Sequence, residues 1–419
     1  MTVIGVDDTD SRERGMCTTY AADAIARRLE GAVARVLLVR CNPAVEYKTR
    51  GNAALAIHTD ARPADALEAA IDVVSERAET DDDRTNPGVV VAARSPDAIP
   101  EPVAEFARAA VRDHLTRERA HELCDAAGFE TRTWKNGRGV IGALAAVGAW
   151  RAFDEWTYER IAYRRPNRWG TERTVEPNSV FRAADTQYPL VWDTVDRHSG
   201  EVVCVPHTPG PVLYGIRGDD PDACRAVAGR IDSEPVHRSR LFVTNQGTDA
   251  HLRDGTIEGA EDGRAYRLDG TVVAEPESRR GGHVFFEIED GEASLRCAAF
   301  EPTKRFRDHV RSLRVGDRLT VCGEVTDGTV KLEKFAVREL VEAERVTPTC
   351  PECGRSMESA GRGQGYRCRD CSTTAPRKES QPLERELERG WYEVPPRARR
   401  HIAKPLVRGG FDAETHPER

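Results

Sequence analysis

The sequence predicts a multidomain protein that combines α/β and α+β folds. Its 419 residues exceed what one hydrophobic core usually organises. Strand-like apolar runs alternate with amphipathic helical patterns in the first half of the chain, and β-rich runs dominate the third quarter. Two Cys-x2-Cys pairs follow near the end of the chain. We therefore expect several domains, each with a core of its own.

The N-terminal segment, residues 1–127, predicts a ferredoxin-like half sheet covered by helices. Its patterns follow the order strand, helix, strand, strand, helix, strand, at residues 3–6, 18–29, 33–39, 53–57, 63–78 and 89–91. Two amphipathic helices are expected next, at residues 102–115 and 119–127. Gly128 is suited to end the second of them, because glycine adopts the left-handed conformation that terminates many helices.

Residues 128–258 predict a second α+β domain. Its expected elements are a glycine-rich helix at 137–148, a strand at 211–216, a helix at 221–231 and a strand at 240–244. Two polar, glycine-bearing loops occur within it, at residues 136–139 and 244–249. Each of these loops could be only a turn, because glycine-rich loops are weak signals individually.

Residues 259–343 predict an OB-fold barrel. Three strand-like runs, one helix and two further strand-like runs follow one another at residues 266–273, 283–288, 293–299, 303–312, 318–325 and 330–337. This order is typical of that five-stranded barrel. We expect a zinc ribbon at residues 344–376 and a basic tail at 377–419, which begins with a short charged helix at 383–389.

Charge and hydropathy exclude two classes of protein. The net charge of −8 argues against a protein that coats nucleic acid without selection, although local arginine clusters can still bind phosphates. No apolar run is long enough to span a membrane, and the N-terminus does not look like an export signal. We therefore expect a cytoplasmic protein with no membrane partner.

An acidic cluster at the end of the first strand predicts a metal and nucleotide site. Asp7, Asp8 and Asp10 precede a loop that ends at Gly15, and a helix then begins near Thr18 and Thr19. Mg²⁺ prefers carboxylate oxygens, and the free N–H groups at a helix N-terminus bind phosphate. Alternatively, the acidic residues only form hydrogen bonds within a turn, and taken alone this second reading has equal weight.

A second polar loop lies between the next two strands and favours the same site. Its residues Lys48, Thr49, Arg50, Gly51 and Asn52 combine cations for a triphosphate with a glycine that permits close approach of the backbone. The loop could face the same end of the sheet as the acidic cluster. Taken by itself, it reads as an ordinary basic hairpin.

Four cysteines near the C-terminus form the strongest motif in the chain. Cys350 and Cys353 form one close pair, Cys368 and Cys371 the other, and fourteen residues separate the pairs. Four thiolates in two knuckles suit tetrahedral Zn²⁺ with no open coordination position, so the metal is expected to be structural. In a chain without an export signal, metal binding is favoured over disulfides.

Two further regions could contact nucleic acid. Phe285, Phe286 and Phe300 in the predicted barrel could stack on bases, although phenylalanine at alternating strand positions is more often part of a core. The tail carries six basic residues within a dozen positions: Arg397, Arg399, Arg400, His401, Lys404 and Arg408. This cluster could contact phosphate or could simply be solvated.

Taken together, these segments resemble one family, the archaeal 2-agmatinylcytidine synthetases that act on the minor isoleucine tRNA. The matching segments are GVDDTD at 5–10, GMCTTY at 15–20, YKTRGN at 47–52, TNQGTDAHL at 244–252, the four cysteines, and RARRHIAKPLVR at 397–408. They occur in the family's order along essentially the whole chain. The charged loop at residues 11–14 is one departure, and it puts only loop contacts in doubt.

The resemblance implies both fold and reaction. It implies a kinase-like N-terminal ATP-binding domain, a ferredoxin-like domain, an OB-fold and a zinc ribbon. It further implies an ATP-dependent C–N ligase that forms 2-agmatinylcytidine, or agmatidine, at the wobble cytidine of the CAU anticodon. ATP would activate carbon-2 of the base by phosphorylating its oxygen, and agmatine would displace phosphate. The family also cleaves ATP to AMP and pyrophosphate, and its product lets the tRNA read AUA.

The resemblance also assigns roles to residues. Asp7 and Asp8 match the acidic motif that binds magnesium, and Thr18 matches a threonine that becomes phosphorylated. Lys48 and its loop would bind phosphate. Two rival functions remain open at this point: an RNA-binding protein with a degenerate N-terminal domain, and an RNA kinase that never joins an amine.

Overall fold

The computed structural model describes residues 1–48 and 51–419, in which two ferredoxin-like units share one nine-stranded sheet. The first unit contains five strands: β1 (Thr2–Asp7), β2 (Val33–Arg40), β3 (Ala53–Thr59), β4 (Gly88–Ala92) and β5 (Glu130–Thr133). It also contains five helices: α1 (Thr18–Arg28), α2 (Pro63–Arg77), α3 (Glu101–Arg112), α4 (Arg117–Ala127) and α5 (Val140–Ala152). The predicted order of strands and helices in residues 1–127 is thus confirmed.

The strands of the first unit lie in the order β5-β4-β1-β3-β2. Since β3 is antiparallel to both β1 and β2, the ends of β1 and β2 and the start of β3 lie at one edge of the sheet. Alternate side chains point to opposite faces, so Ile4 and Val6 pack under α1 and α2, whereas Val3 packs under α3 and α5. This edge carries the acidic cluster.

Gly128 ends α4 in the left-handed conformation with a φ of 69°, as its sequence position suggests. The boundary that we expect between residues 127 and 128 falls just after α4. The next two elements nevertheless continue the first unit, because β5 pairs with β4 and α5 packs across β1, β3 and β4. The placement of the domain boundary therefore stays a prediction.

The second unit repeats the same fold. Its elements are β6 (Thr157–Tyr163), α6 (Pro177–Asp185), β7 (Val191–Trp192), β8 (Val195–Asp196), β9 (Glu201–Val202), β10 (Val212–Gly218), α7 (Pro221–Ala228) and β11 (Arg238–Thr244). The sheet order is β11-β6-β10-β7, and β8 pairs separately with β9. The two units join where β11 runs parallel to β2, at Val243 beside Leu37 and Thr244 beside Leu38.

A closed five-stranded barrel follows, as the order of strand-like runs predicts. Its elements are β13 (Ala265–Ser278), β14 (Val284–Asp290), β15 (Ala293–Ala299), α8 (Phe306–Arg311), β16 (Arg318–Thr326) and β17 (Thr329–Glu339), preceded by β12 (Leu252–Asp254). Strand β13 pairs with both β14 and β16, and the parallel pairing of β15 with β17 closes the ring. The barrel has a hydrophobic core of its own, which includes Phe286, Phe306 and Phe335.

The last part of the chain forms short strands that return to the barrel. They are β18 (Ala343–Val346), β19 (Glu358–Ser359), β20 (Tyr366–Arg367), β21 (Thr374–Ala375), β22 (Glu379–Pro382), β23 (Gly390–Glu393) and β24 (Thr415–His416). Strands β19 to β21 form the cysteine-bearing ribbon, and β23 adds to the barrel sheet beside β17. Single 3₁₀ turns occur at Pro96–Ala98, Pro166–Arg168, Glu301–Thr303, Pro396–Ala398 and Leu406–Arg408.

The prediction of a helix at residues 383–389 is wrong, because this segment is not helical in the structure. Leu387 is buried in the barrel core, and Arg385 forms an ion pair with the buried Asp317 at 2.7 Å. Both contacts pull the segment onto the barrel, and this tertiary packing overrides the local helical pattern. None of the helices in the described ranges has the length and apolarity that crossing a membrane requires.

Candidate active site

A cavity of about 1040 Å³ lies where the two ferredoxin-like units meet the C-terminal segment. The predicted site residues that line it are Asp7, Asp8, Asp10, Thr18, Thr19, Lys48, Gly51 and Asn52. Thr49 and Arg50 are predicted for the same site and lie outside the described residues. Gly15, with a φ of 104°, packs beside Gly210 rather than in the cavity lining. The acidic cluster and the Lys48 loop thus open into one space.

The acidic cluster stands where β1 ends. Asp8 adopts the left-handed conformation with a φ of 59°, which aspartate tolerates better than most residues, and the chain turns there into the following loop. Asp8 Oδ2 accepts a hydrogen bond from the backbone N–H of Asn86 at 3.1 Å. Arg138 lies beside the same oxygen, with Nη2 at 3.3 Å. The predicted glycine-bearing loop at 136–139 therefore contributes a cation to this cluster.

Burial and mutual repulsion shift the acidity of these carboxyl groups. Burial raises the pKa of Asp7 well above its ordinary value, and the charges of Asp8 and Asp10 raise it further. Burial also raises the pKa of Asp8 to about 6, although Arg138 acts in the opposite direction. Crowded carboxylates with little water around them are stabilised by a cation. The oxygen-only donor set fits Mg²⁺ in particular.

The N-terminus of α1 faces the same cavity. Thr18 and Thr19 are its first two residues, and both are buried, yet both line the cavity. The hydroxyl groups of Thr9 and Thr18 lie 3.2 Å apart. Cys17, at the N-cap position, forms no capping hydrogen bond with its side chain. The N–H groups of Thr18 and Thr19, the first two residues of this helix, are therefore placed to bind an anion such as a phosphate.

The Lys48 loop is held by its own hydrogen bonds. Lys48 Nζ donates to the carbonyl oxygens of Pro43 at 2.6 Å and Val45 at 2.7 Å, and burial lowers the pKa of this amine. Asn52 adopts a φ of 48° and donates from Nδ2 to the carbonyl oxygen of Asn42 at 2.7 Å. Lys48 and Asn52, both held by hydrogen bonds to backbone carbonyl groups, thus bring a cation and an amide to the cavity lining.

Glycines let α5 approach the acidic cluster closely. A Cβ atom on Gly142 would overlap Asp7 Oδ2, and one on Gly5 would overlap the carbonyl oxygen of Ala143. Neither glycine has a positive φ, so both are required for space rather than for backbone conformation. The predicted glycine-rich helix therefore shapes the site by packing against β1.

Several lining residues were missed by sequence reasoning. Glu159 on β6 accepts a hydrogen bond from the Gln246 side chain, and Arg217 on β10 lies within ion-pair range of Glu159, at 3.7 Å. Arg40, the last residue of β2, also lines the cavity. Each is one polar residue in a strand, a pattern that does not distinguish a lining residue from a surface one. Their only sequence signal is a charge next to a buried apolar run.

The loop at residues 244–249 joins three parts of the molecule and is more than a turn. The Asn245 side chain accepts from the N–H of Arg40 at 2.7 Å and donates to its carbonyl oxygen at 3.0 Å. Asp249 accepts two hydrogen bonds from Lys334 Nζ, at 2.9 and 2.7 Å. The loop thereby links β11 to β2 and to the barrel.

Five of the six basic residues of the tail form ion pairs with acidic residues, most of which lie in other segments. Arg399 is buried between Asp193 and Glu393, and Arg400 contacts Glu324 and Glu333 of the barrel. The remaining pairs are Arg397 with Glu201, Lys404 with Glu155, and Arg408 with Glu155 and Asp219. These five cations are therefore not simply solvated, and a contact between the tail and phosphate stays a prediction. They tie the C-terminal segment to the second unit and the barrel.

The four predicted metal ligands converge. One ligand atom from each of Cys350, Cys353, Cys368 and Cys371 lies within 4.8 Å of all the others. The sulfur atoms of Cys353 and Cys368 are 3.6 Å apart. Tetrahedral Zn–S bonds place sulfur atoms about 3.8 Å from one another, so the cluster fits that metal. The other seven cysteines lie among the described residues and form no disulfide, and all of them except Cys17 are buried.

The barrel presents an aromatic patch, while one of the three phenylalanines belongs to the core. Phe286 is buried, whereas Phe285 and Phe300 are half-buried with ring centroids 6.3 Å apart. Arg279 lies over the Phe285 ring at 4.7 Å. This combination of rings and guanidinium is suited to base stacking.

Comparison with known proteins assigns four matched regions. The family models are the TiaS TCKD domain at residues 3–62 and 58–136, the TiaS FLD domain at 137–251, an OB-fold nucleic acid binding domain at 266–335, and the TiaS C-terminal zinc ribbon domain at 347–387. TiaS of Haloquadratum walsbyi, the 2-agmatinylcytidine synthetase of the second isoleucine tRNA, is 52% identical over 462 residues, covering 100% of both chains. Its counterpart in Methanosarcina acetivorans is 46% identical, again covering 100% of both.

Solved structures match over the same length. A crystal structure of TiaS in complex with this isoleucine tRNA and ATP superposes with a TM-score of 0.91 at 44% identity, covering 100% of this chain and 99% of the other. A complex of TiaS with the same tRNA, AMPCPP and agmatine superposes with a TM-score of 0.88 at 41% identity, with the same coverage.

Proposed function

This chain belongs to the family of 2-agmatinylcytidine synthetases of the second isoleucine tRNA, and we propose that its central cavity is where it joins agmatine to a tRNA base at the expense of ATP. The enzyme is an ATP-dependent C–N ligase that forms 2-agmatinylcytidine at the wobble cytidine of the CAU anticodon. Its substrates are the isoleucine tRNA, ATP and agmatine. Relatives solved with this tRNA, with an ATP analogue and with agmatine support this assignment.

One observation carries the assignment to the cavity. Asp8 at the end of β1 and Lys48 in the β2–β3 loop line the same space, although they are far apart in sequence. A single small ligand usually occupies a pocket of about 300 to 1,000 Å³. A cavity of about 1040 Å³ has room for a nucleotide together with an extruded base. A wobble base can enter such a site, because it lies in a loop and is not held in a duplex.

The chemistry requires activation of the base before the amine attacks. The oxygen on carbon-2 is a poor leaving group, and transfer of a phosphoryl group from ATP converts it into phosphate. The primary amine of agmatine then forms the new C–N bond, the C–O bond breaks, phosphate leaves and the nitrogen loses a proton. Phosphoryl transfer depends mainly on positioning and charge neutralisation, which are the properties that this cavity offers.

We assign the nucleotide end of the cavity to the acidic cluster and its neighbours. Asp7, Asp8 and Asp10 would hold Mg²⁺, because they combine crowded carboxylates with little solvent. Magnesium would neutralise the charge of the polyphosphate. Thr18 and Thr19 would bind phosphate through the N-terminus of α1, and Thr18 would also accept a phosphoryl group. Lys48, Gly51 and Asn52 would contact the polyphosphate from the adjacent loop, together with Thr49 and Arg50.

We assign the holding of tRNA to the barrel and the ribbon. The four cysteines would bind one structural Zn²⁺, which fixes the two knuckles of the ribbon. Phe285, Phe300 and Arg279 supply a partly exposed stacking surface on the barrel. Different domains would thus carry out catalysis and tRNA binding. We place the enzyme in the cytoplasm, the compartment where tRNA is used.

The decisive experiment is mass spectrometry of the wobble base after incubation with tRNA, ATP, Mg²⁺ and agmatine. We expect the mass of the base to rise by one agmatine with loss of water. Asp8→Asn is expected to abolish both this product and ATP turnover. ATP consumption without agmatine incorporation would favour an RNA kinase, and tRNA binding without ATP turnover would favour an RNA-binding protein.

A further inference from the structure

The end of β2 carries a guanidinium group that has no ion-pair partner. Arg40 Nη1 donates to the carbonyl oxygen of Gly51 at 3.2 Å, whereas Nε is buried and has no hydrogen-bond partner. In the part of the chain that the structure describes, no carboxylate lies within ion-pair distance of Arg40. Burial lowers the pKa of this group and the charge of Arg217 lowers it further, although the charges of Glu159 and Asp10 act in the opposite direction. A cation in such a position is costly unless an anion joins it.

A second arginine in the same wall is incompletely paired. The Arg217 side chain is 7% exposed, and the carboxylates of Glu159 and Asp193 lie at 3.7 and 3.8 Å, beyond hydrogen-bond length. Both acids already have other partners, since Glu159 accepts from Gln246 and Asp193 accepts from Arg399. The Arg217 Nε atom is buried without a hydrogen-bond partner. Its donors therefore remain available to a ligand in the cavity.

The third member of this group is His401 in the C-terminal segment. Its Nδ1 atom is buried and has no hydrogen-bond partner. The positive charges of Arg217 and Arg40, together with burial, lower the pKa of His401 well below its ordinary value, so the ring is neutral. A neutral imidazole can still donate one hydrogen bond. All three side chains line the cavity.

Gly51 shows how closely these groups approach one another. A Cβ atom on Gly51 would overlap Arg40 Nη1 and would lie 3.8 Å from His401 Cδ2. The end of β2, the loop before β3 and the C-terminal segment therefore meet at one point. Arg40 and His401 meet at that point, and Arg217 lines the same cavity. Two guanidinium groups and an imidazole form a set that recognises an oxyanion.

We propose that Arg40, Arg217 and His401 form a phosphate-binding subsite of the cavity. The subsite rests on the proposed function, because agmatine is a cation and phosphates are the anionic groups that the other substrates bring. Two sources of phosphate fit this chemistry. One is the phosphodiester beside the target nucleotide of the tRNA, and the other is the polyphosphate of ATP or the pyrophosphate released from it.

The test compares Arg40→Gln with Arg35→Gln in the full chain. Arg35 lies on the same strand and carries the same charge, but its guanidinium stacks on Trp150, at 3.9 Å, outside the cavity lining. Three affinities are measured for each variant: that for the isoleucine tRNA without nucleotide, and those for ATP and for pyrophosphate without tRNA. We expect Arg40→Gln to lower the affinity for tRNA or for the nucleotide and pyrophosphate by about tenfold or more, because the variant loses a charge-assisted contact with phosphate. Arg35→Gln should change neither by more than about twofold.

The ligand whose affinity falls identifies the source of the phosphate. If the affinity for tRNA falls, the slope of log affinity against log salt concentration should also decrease in magnitude by about one, as expected for one lost phosphate contact. His401→Leu should weaken the same probe, and His401→Asn, which restores an N–H donor, should recover it. Unchanged affinity for all probes in Arg40→Gln would overturn the proposal.

Thermal unfolding separates this role from a structural one. The melting temperature of free Arg40→Gln should stay level or rise, because the change removes a buried charge that has no ion-pair partner. A lower melting temperature together with an equal loss of affinity for all three ligands would mean that Arg40 only supports the fold. That result would also overturn the proposal. Failure of the proposed function is read separately, as absence of agmatine incorporation by the unmodified enzyme.

Discussion

Arg138 forms an ion pair with Asp8 across 130 positions of sequence, with Nη2 at 3.3 Å from Oδ2. Arg138 stands just before α5, and Asp8 stands just after β1, so the pair fixes the start of the helix against the end of the strand. The same guanidinium donates to the carbonyl oxygen of Arg84 at 2.7 Å. Arg138 thus fixes the position of Asp8, while Asp7, Asp8 and Asp10 line the cavity.

Asp8→Asn should remove the chemistry and leave the fold intact. The amide oxygen can still accept the hydrogen bond from Asn86 N–H, but the charge that would hold a metal ion is lost. Agmatine incorporation should fall by about 100-fold or more. Affinity for tRNA should change by no more than about twofold, because we assign most of the tRNA contact to the barrel and the ribbon. Asp65→Asn, at a half-buried aspartate outside the cavity lining, is a matched control, and full activity in Asp8→Asn would refute the assignment of this cluster.

Gly142→Ala should impair the enzyme even though alanine favours helices. Alanine at a helix interior position is better than glycine by about 1 kcal/mol. Here the added Cβ would overlap Asp7 Oδ2, so α5 or the carboxylate must shift. We expect a stability loss of about 1 to 3 kcal/mol in urea unfolding and a fall in ATP turnover.

Gly229→Ala supplies the control for that substitution. Gly229 has a φ of −73°, and its Cβ would meet the nearest atom at 3.4 Å, an ordinary contact. The change should alter neither stability nor turnover. A Gly142→Ala variant as stable and active as Gly229→Ala would show that α5 has room to move.

Sequence predicted this fold well where local pattern and tertiary packing agree. The alternation of β1 to β4 with α1 and α2, and the barrel order, follow from apolar periodicity alone. The segment at 383–389 failed because Leu387 and Arg385 find partners in the barrel, which a local pattern cannot reveal. The side-by-side joining of two sheets through β2 and β11 was equally hidden, since strand pairing between distant segments has no local signal.

The candidate site divides in the same way. Asp8, Thr18 and Lys48 stand in motifs whose residue types suggest phosphate chemistry, so sequence could indicate them. Arg40 and Arg217 end or follow apolar strand runs, and only the fold shows that they face a cavity. The arginines of the tail look solvated or free to bind phosphate in the sequence, because most of their acidic partners lie in distant segments, such as Asp193 and Glu324.

Cys368→Ser should abolish zinc binding by the ribbon. A thiolate is lost from a four-sulfur cluster, and serine is a poor zinc ligand. Zinc content should fall from about one per chain to near zero, and tRNA affinity should weaken by about tenfold as the ribbon unfolds. ATP turnover without tRNA should persist. Cys322→Ala, at a buried cysteine of the barrel, should keep its zinc. Equal zinc content in both variants would contradict a metal at this cluster.

Arg399→Met should destabilise the protein far more than Arg397→Met, although the two arginines lie two positions apart. Arg399 is 2% exposed between Asp193 and Glu393, whereas Arg397 is 31% exposed and pairs with Glu201. Removing one partner of a buried ion pair leaves a buried charge and costs about 3 to 5 kcal/mol. The exposed pair should contribute less than about 1 kcal/mol. Urea unfolding of both variants measures the contrast, and similar losses would contradict it.

The Glu234–Arg164 pair should make stability depend on acid pH. Hydrogen bonds from Arg164 hold the pKa of Glu234 at about 2, below its ordinary value of 4.5, and the carboxylate is 4% exposed. Because the folded-state pKa is the lower one, the stabilisation is complete above about pH 4.5 and is lost as the pH falls toward 2. Its size is on the order of 3 kcal/mol. Glu234→Gln should therefore be less stable than the parent at pH 7, and the difference should shrink steadily between pH 4.5 and pH 2. Urea midpoints across this range test the prediction, with the exposed Glu122→Gln as a control whose difference from the parent stays small throughout. A Glu234→Gln deficit that is the same at pH 7 and pH 3 would show that the lost stability comes from packing and not from the charge.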